Sequence, residues 1–230
     1  MAEYRTESQK VAEKIKEAIL TGKFLHGDKL PQRKIAEMFG TTTIVVREAL
    51  RLLEVEGLVF IEPKWGAIVE EVTKEKIWGR YIVREALEGM AARIACINST
   101  EGDTKELYRL AEECDKELPE NRLSPNEKAA LHFDLHAKIV GLTKCGELIS
   151  LINKINLHSI LFSNAFHVNW REDWGGWHKH LIDAIASKDS GRAEQVMREH
   201  VRRGYEMEIE ALTKAGIPPA GRPAETARPV

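Results

Sequence analysis

Four histidines of this 230-residue chain stand where imidazoles can share a cation. His132 and His136 are four residues apart, so on a helix they lie on one face, one turn from each other. His178 and His200 fall on the last two apolar-periodic segments, either side of a short turn at 187–190. His180, two residues from His178, points to a different face, and His158 and His167 show that histidines are scattered elsewhere. Imidazoles on facing helices are how bundles build divalent-metal sites. Taken singly, a helical histidine is more often a surface or core residue, so spacing alone leaves both readings open.

A second chemistry lies in TTTIVVREALRLLEVEG, residues 41–57. Val46, Ala49, Leu50 and Leu53 fall at i, i+3, i+4 and i+7, one apolar helix face. The other face carries Thr43, Ile44, Arg47 and Arg51. Long cationic donors beside small apolar groups suit guanine edges, phosphates and thymine methyls of a DNA major groove. The β-branched run from Thr41 to Val46 alone suggests a strand. The helical period continues for two more turns, which selects helix, with Thr42 as N-cap and Gly57 as stop.

The elements that position these groups follow from periodicity and breakers. Glu7 to Thr21 reads as an amphipathic helix ended by Gly22 and Gly27-Asp28; Leu30-Pro31 opens a short helix with Ile35, Ala36 and Phe39 inward, ended by Gly40. Two such helices joined through a glycine turn make a helix-turn-helix. LVFIE (58–62) and AIVEEV (67–72) read as strands joined at Pro63-Lys64-Trp65-Gly66, so the module is a winged helix. Lys29, Arg33, Lys34, Arg47, Arg51 and Lys64 can face one side of it; Lys64 and Trp65 read equally as a solvated turn with one packed aromatic. Beyond the charged segment 70–76 the pattern is helical: 75–98, with Arg84 and Glu88 as an i, i+4 pair, then 104–118, 126–141, 147–166, 177–187 and 190–212. A Trp-rich loop (Trp170, Trp174, Trp177) precedes the last pair, and the Pro/Ala-rich tail 216–230 is expected to be disordered.

Composition narrows the classes. A chain that is 43% hydrophobic and 30% charged is an ordinary globular one. It has no apolar run of membrane-span length and no hydrophobic leader, so a cytoplasmic protein with no membrane partner is expected. Three widely spaced cysteines argue against a disulfide framework or a Cys-rich zinc site. The net charge is −2, so nucleic-acid binding must rest on local placement of charge.

The run LPQRKIAEMFGTTTIVVREALRLLEVEGLVFIEPKWGAIV resembles the winged helix of the GntR family of bacterial transcription regulators. Leu30, Pro31, Arg33, Ala36, Gly40, Val46, Arg47, Glu48, Ala49, Leu50, Leu53, Glu56, Gly57, Leu58, Gly66, Ala67 and Val69 match its pattern. The resemblance places Arg33 and Arg47 at positions that contact DNA. Thr42-Thr43-Ile44-Val45 stands where the family has Ser-Arg-Thr-Pro, so an arginine that often reaches DNA is missing. From Ile77 onward the chain resembles the FCD domain of the FadR-type branch. HFDLH (132–136), WHKHLIDA (177–184) and AEQVMREH (193–200) correspond to its three metal-binding runs. That register implies His136, His178 rather than His180, and His200 as ligands. His132 stands where the family usually has Asp. Four imidazoles favour zinc or nickel over manganese. Arg84 resembles a family arginine near the effector pocket, against its local reading as an ion pair with Glu88.

The expected fold class is mainly α: a winged helix-turn-helix over 1–73, an all-helical bundle of six or seven helices over 74–215 for effector binding and dimerisation, then the tail. The expected function is a metal- and small-carboxylate-responsive regulator, a repressor and not an enzyme, acting as a homodimer on a palindromic operator. Its DNA face is Arg33, Thr42, Thr43, Ile44, Arg47, Arg51, Lys64 and Trp65. Its metal ligands are His132, His136, His178 and His200, and its effector contact is Arg84. The rival readings are a metal-free regulator with an acyl-type effector and a metal-dependent enzyme on a four-histidine bundle.

Overall fold

Thr6 starts the first helix with a reciprocal cap: its hydroxyl accepts from the Gln9 N–H, and the Gln9 side chain accepts from the Thr6 N–H. The structure, a computed structural model, describes residues 5–71, 73–116, 125–155 and 176–214. The chain divides into two compact units, the second beginning at Thr73.

In the first unit, α1 (Glu7–Leu20) buries Val11, Ile15, Ala18 and Ile19 against α3 (Thr43–Glu56), which buries Val46, Ala49, Leu50 and Leu53. Between them lies α2 (Gln32–Phe39), with Pro31 as N-cap and Gly40 ending it in the left-handed conformation. Ile35 and Ala36 are buried; Phe39, expected inward, is only half-buried, with Lys14 over its ring. Thr42 caps α3 and Gly57 closes it at φ 77°. Two short strands follow, β1 (Val59–Glu62) and β2 (Gly66–Val69), antiparallel with Val59 opposite Val69 and Glu62 opposite Gly66. They are shorter than the expected 58–62 and 67–72; one further bond in register, from the Glu70 N–H to the Leu58 carbonyl, follows the last strand pair. The segment before α2 adds an edge to this hairpin, Leu30 N–H donating to Ala67 and Val69 N–H to Asp28.

The second unit is helical. It comprises α4 (Lys74–Asn98), α5 (Glu101–Asp115), α6 (Pro125–Gly141), α7 (residues 146–155 among those described), α8 (Trp177–Ala186) and α9 (Ser190–Lys214). Helix α5 begins three residues before the expected Thr104, because Thr100 and Asp103 form a capping box. The remainder of the expected 147–166 helix, residue 118, His158, His167, Trp170, Trp174 and the tail lie outside the described residues. Helices α4 and α9 pack along most of their length. Gly89 of α4 meets α9 closely, at Arg198, while Ala91 packs on the other side with Val140, Leu148 and Ile152. Ion pairs flank the α4–α9 contact, Arg202 to Glu85 at 2.6 and 3.0 Å and Arg93 to Glu194 at 3.2 Å. Being partly exposed, they set register more than they add stability. Lys188 closes the C-terminus of α4, its Nζ donating to the carbonyls of Ser99 at 2.8 Å and Cys96 at 3.2 Å.

Gly89 makes this approach testable. A Cβ there would lie 2.9 Å from Arg198 Cγ, inside van der Waals contact. Gly89→Ala gains helix propensity but overpacks the α4–α9 seam, for a net loss of about 1–2 kcal/mol. Thermal denaturation should show a melting temperature lower by roughly 2–8 °C; an unchanged or higher value contradicts this packing.

Candidate functional site

The imidazoles converge in the second unit. His136 Nε2 lies 3.1 Å from His132 Nε2 and 3.1 Å from His200 Nε2, and the last two are 3.4 Å apart. His136 and His132 come from α6 and His200 from α9, so the triangle joins two helices distant in sequence. The ring of His178, on α8, is centred 5.1 Å from that of His132 and 5.0 Å from that of His200. His136, His178 and His200 are buried and His132 is half-buried. His180 is exposed, and so is Asp134, the nearest carboxylate in sequence to His132.

Two carboxylates stand behind the rings. Glu88 accepts from His136 Nδ1 through one oxygen and from Arg84 Nε at 2.6 Å through the other. Burial alone raises the Glu88 pKa, but Arg84 and His136 outweigh it and hold the carboxyl below its usual range. An ionised carboxylate only accepts hydrogen bonds, so the proton of His136 sits on Nδ1 and the Nε2 lone pair faces the triangle. Asp115, the last residue of α5, does the same for His178. It accepts from Nδ1 at 2.6 Å and from the backbone N–H groups of His178 and Lys179. Burial raises the Asp115 pKa, but these donors bring it below the ordinary value. Asp115 thereby caps the first turn of α8, whose N-cap, Gly176, has no side chain to do so. Burial, then the neighbouring imidazoles, push His132 and His200 well below the usual histidine value, which leaves both rings neutral near pH 7.

The donor set fits a divalent ion. Nitrogens bound at about 2.0–2.1 Å to one cation stand roughly 2.8–3.4 Å apart for coordination angles between 90° and 109°, and the three observed separations of 3.1, 3.1 and 3.4 Å fall in that range. A carboxylate on the outer nitrogen, as at His136 and His178, is the usual support of a metal-binding imidazole, and the neutral state of His132 and His200 is the one that a metal requires. Sequence reasoning had placed Glu88 only as the helical partner of Arg84 and had not singled out Asp115. Each meets its histidine across a long stretch of chain, 48 and 63 residues away. Arg84, expected at the effector, is buried and engaged by Glu88, with its guanidinium over the ring of Tyr81.

In the first unit, Arg33, Thr42, Thr43, Ile44, Arg47, Arg51, Lys64 and Trp65 are all exposed. Ile44 is 63% exposed in the first turn of α3, where an apolar side chain gains nothing from its own fold. Arg51 shares its charge with Glu48 at 3.5 Å. Among the described residues neither Arg33 nor Arg47 forms an ion pair. Lys64 sits at the wing tip with φ 81°, and Lys29 lies over the Trp65 ring at 4.2 Å, so Trp65 is both packed and presented.

Comparison with known proteins matches both units. Residues 7–69 match the family described as bacterial regulatory proteins, gntR family, and residues 80–203 match the FCD domain. The chain is 27% identical to the Uxu operon regulator of Haemophilus influenzae, over 84% of this chain and 78% of that protein. It is 26% identical to the Uxu operon transcriptional regulator of Escherichia coli K12, over 84% and 83%. The "Probable D-xylose utilization operon transcriptional repressor" of Paenarthrobacter nicotinovorans is 24% identical over 80% of each chain. A GntR structure from Rhodococcus sp. RHA1 shares the fold with a TM-score of 0.73 at 19% identity, covering 90% of this chain and 99% of that one. E. coli McbR/YncC does so at 0.69 and 20%, with the same coverage. The chain belongs to the GntR family of bacterial regulatory proteins and is a DNA-binding transcriptional regulator that carries an FCD domain.

Proposed function

We propose that this regulator senses small carboxylic acids through a divalent metal held by His132, His136, His178 and His200, and that it represses transcription as a homodimer on a palindromic operator. The observation that supports the metal reading best is the triangle of His132, His136 and His200 Nε2 atoms, with Glu88 fixing the His136 ring. Zinc or nickel suits an all-imidazole set better than manganese. When bound, the ion supplies a Lewis-acidic position for a carboxylate oxygen. The chain's own residues do the rest. Glu88 and Asp115 hold the tautomers, and Arg84 keeps Glu88 ionised. Burial excludes water that would compete for the acid. Four protein nitrogens close a tetrahedral site, so sensing requires five or six positions with the remainder open to the acid.

The proposed operator face is Arg33, Thr42, Thr43, Ile44, Arg47, Arg51, Lys64 and Trp65. A single winged helix reads few base pairs, and two-fold symmetry of a dimer mirrors a palindrome. The repressor named among the relatives supports that sign of regulation.

Metal analysis of purified protein should find about one zinc or nickel per chain after loading. His136→Ala should abolish it, and Glu88→Gln should weaken affinity roughly 10–100-fold while leaving all four ligands in place. A wild-type protein that takes up neither ion, measured by elemental analysis after dialysis, overturns the metal reading. At the DNA face, Arg47→Ala should cost about 1–3 kcal/mol in operator affinity if Arg47 reads a guanine. Affinity of the wild type should fall steeply with salt. An electrophoretic shift assay in which Arg47→Ala binds as the wild type does removes α3 from the role of recognition helix.

A further inference from the structure

The side chain that the metal reading leaves unexplained is Arg203. It follows His200 by three residues on α9, so it lies on nearly the same helix face, one turn further along. It is half-buried, and its charge bears on His200. Its guanidinium lies 4.8 Å from the ring centre of Trp177, the residue next to His178 at the start of α8. Among the described residues no carboxylate pairs with it, and its buried Nε–H has no acceptor. The other arginines near the site are engaged: Arg84 by Glu88 at 2.6 Å, and Arg80 by Glu208 at 3.5 Å. A partly desolvated cation without an anion is costly in a fold that pairs its other inner charges. The Trp177 ring covers one side of the guanidinium plane and fixes its orientation, which leaves the fork of N–H donors for a planar anion.

Resting on the metal reading above, we propose that Arg203 binds a second acidic group of the effector, so that the regulator recognises dicarboxylic acids. One carboxylate occupies the metal's open position, and the other takes the Arg203 fork in bidentate fashion. Charge balance points the same way. Glu88 neutralises Arg84 and Asp115 serves His178, so a monocarboxylate on the ion leaves Arg203 unmatched, whereas a diacid matches it. Arg203 is then the specificity-determining residue, and Trp177 positions it.

The test is calorimetric titration of the zinc-loaded full chain with matched acids: succinate against butyrate, malate against 3-hydroxybutyrate, and glucarate against gluconate. The wild type should bind at least one diacid about tenfold or more tightly than its monoacid. Arg203→Met, which keeps bulk without charge, should remove that preference while zinc stoichiometry stays unchanged. Arg203→Lys should fall between the two. If wild-type protein binds the monoacids as tightly as the diacids, or Arg203→Met weakens both alike, the assignment is overturned while the metal-and-acid reading stands; the wild-type comparison decides this even if the variant fails to fold. If the zinc-loaded wild type binds neither kind of acid, or takes up no zinc, both readings fall.

Discussion

The buried Glu88 carboxylate is the constraint on which the helical unit depends. An ionised carboxylate taken out of water costs several kcal/mol even after relaxation, and the cost is offset only by good geometry on every oxygen. Here Arg84 serves one oxygen from the same helix and His136 serves the other from α6. Both partners are required, because removing either strands a charge in a dry interior. Helices α4 and α6 are thus tied at one depth, and the His136 ring has one orientation left. With Nδ1 committed to Glu88, Nε2 must face inward, where His132 and His200 stand 3.1 Å away. Asp115 repeats the arrangement at lower burial, joining the end of α5 to the start of α8 through His178. The orientations of His136 and His178 are therefore decided behind the rings.

The DNA-binding unit solves a different problem, a cationic face on a domain with no cationic excess. Its acidic residues are used within the fold. Glu54 accepts from the Ile61 backbone N–H at 3.0 Å, and Glu56 pairs with Lys16 of α1 at 2.9 Å. Glu48 is held by Arg51. Arg33, Arg47 and Lys64 form no ion pair among the described residues, so their charge is available outside. Net charge is a sum over the surface, whereas a groove meets only one side of it.

Periodicity made most of the elements legible. The stripe Val46, Ala49, Leu50, Leu53 is buried as the 3.6-residue period requires, despite the β-branched run before it. Four-residue spacing also brought His132 and His136 to one face, because that contact is local. The choice between His178 and His180 needed either family register or burial: His178 is 1% exposed and His180 lies on the open side. Glu88 and Asp115 were not legible, for a physical reason. Their bonds to histidine are tertiary, and nothing in the local sequence distinguishes a carboxylate that turns inward from one that pairs along its own helix. Glu88 does both at once, which is why the local reading of Arg84 was right about the pair and silent about its purpose. The early start of α5 was readable in principle, since Thr100 and Asp103 have capping-box spacing, but the helical period there is weak and drew the boundary later.

Helix α4 is where these constraints meet. It begins at Lys74, capped by Thr73, the first residue of the second unit, and carries Arg84 and Glu88 about three and four turns further on. It then presses Gly89 onto α9, the helix that supplies His200 and Arg203. The close Gly89–Arg198 approach leaves little slack there, because interiors packed to native density respond to displacement as blocks. Any ligand that alters the separation of the α6 and α9 imidazoles acts on α4 twice, through the Glu88–His136 bond and through the α9 seam. Its effect on the DNA-binding unit is limited by how differently it binds the two resulting arrangements. A second anchoring point such as Arg203 enlarges that difference, because a diacid held at both ends fixes the distance between the α6–α9 imidazole cluster and the next turn of α9, whereas a single carboxylate leaves that distance unrestrained.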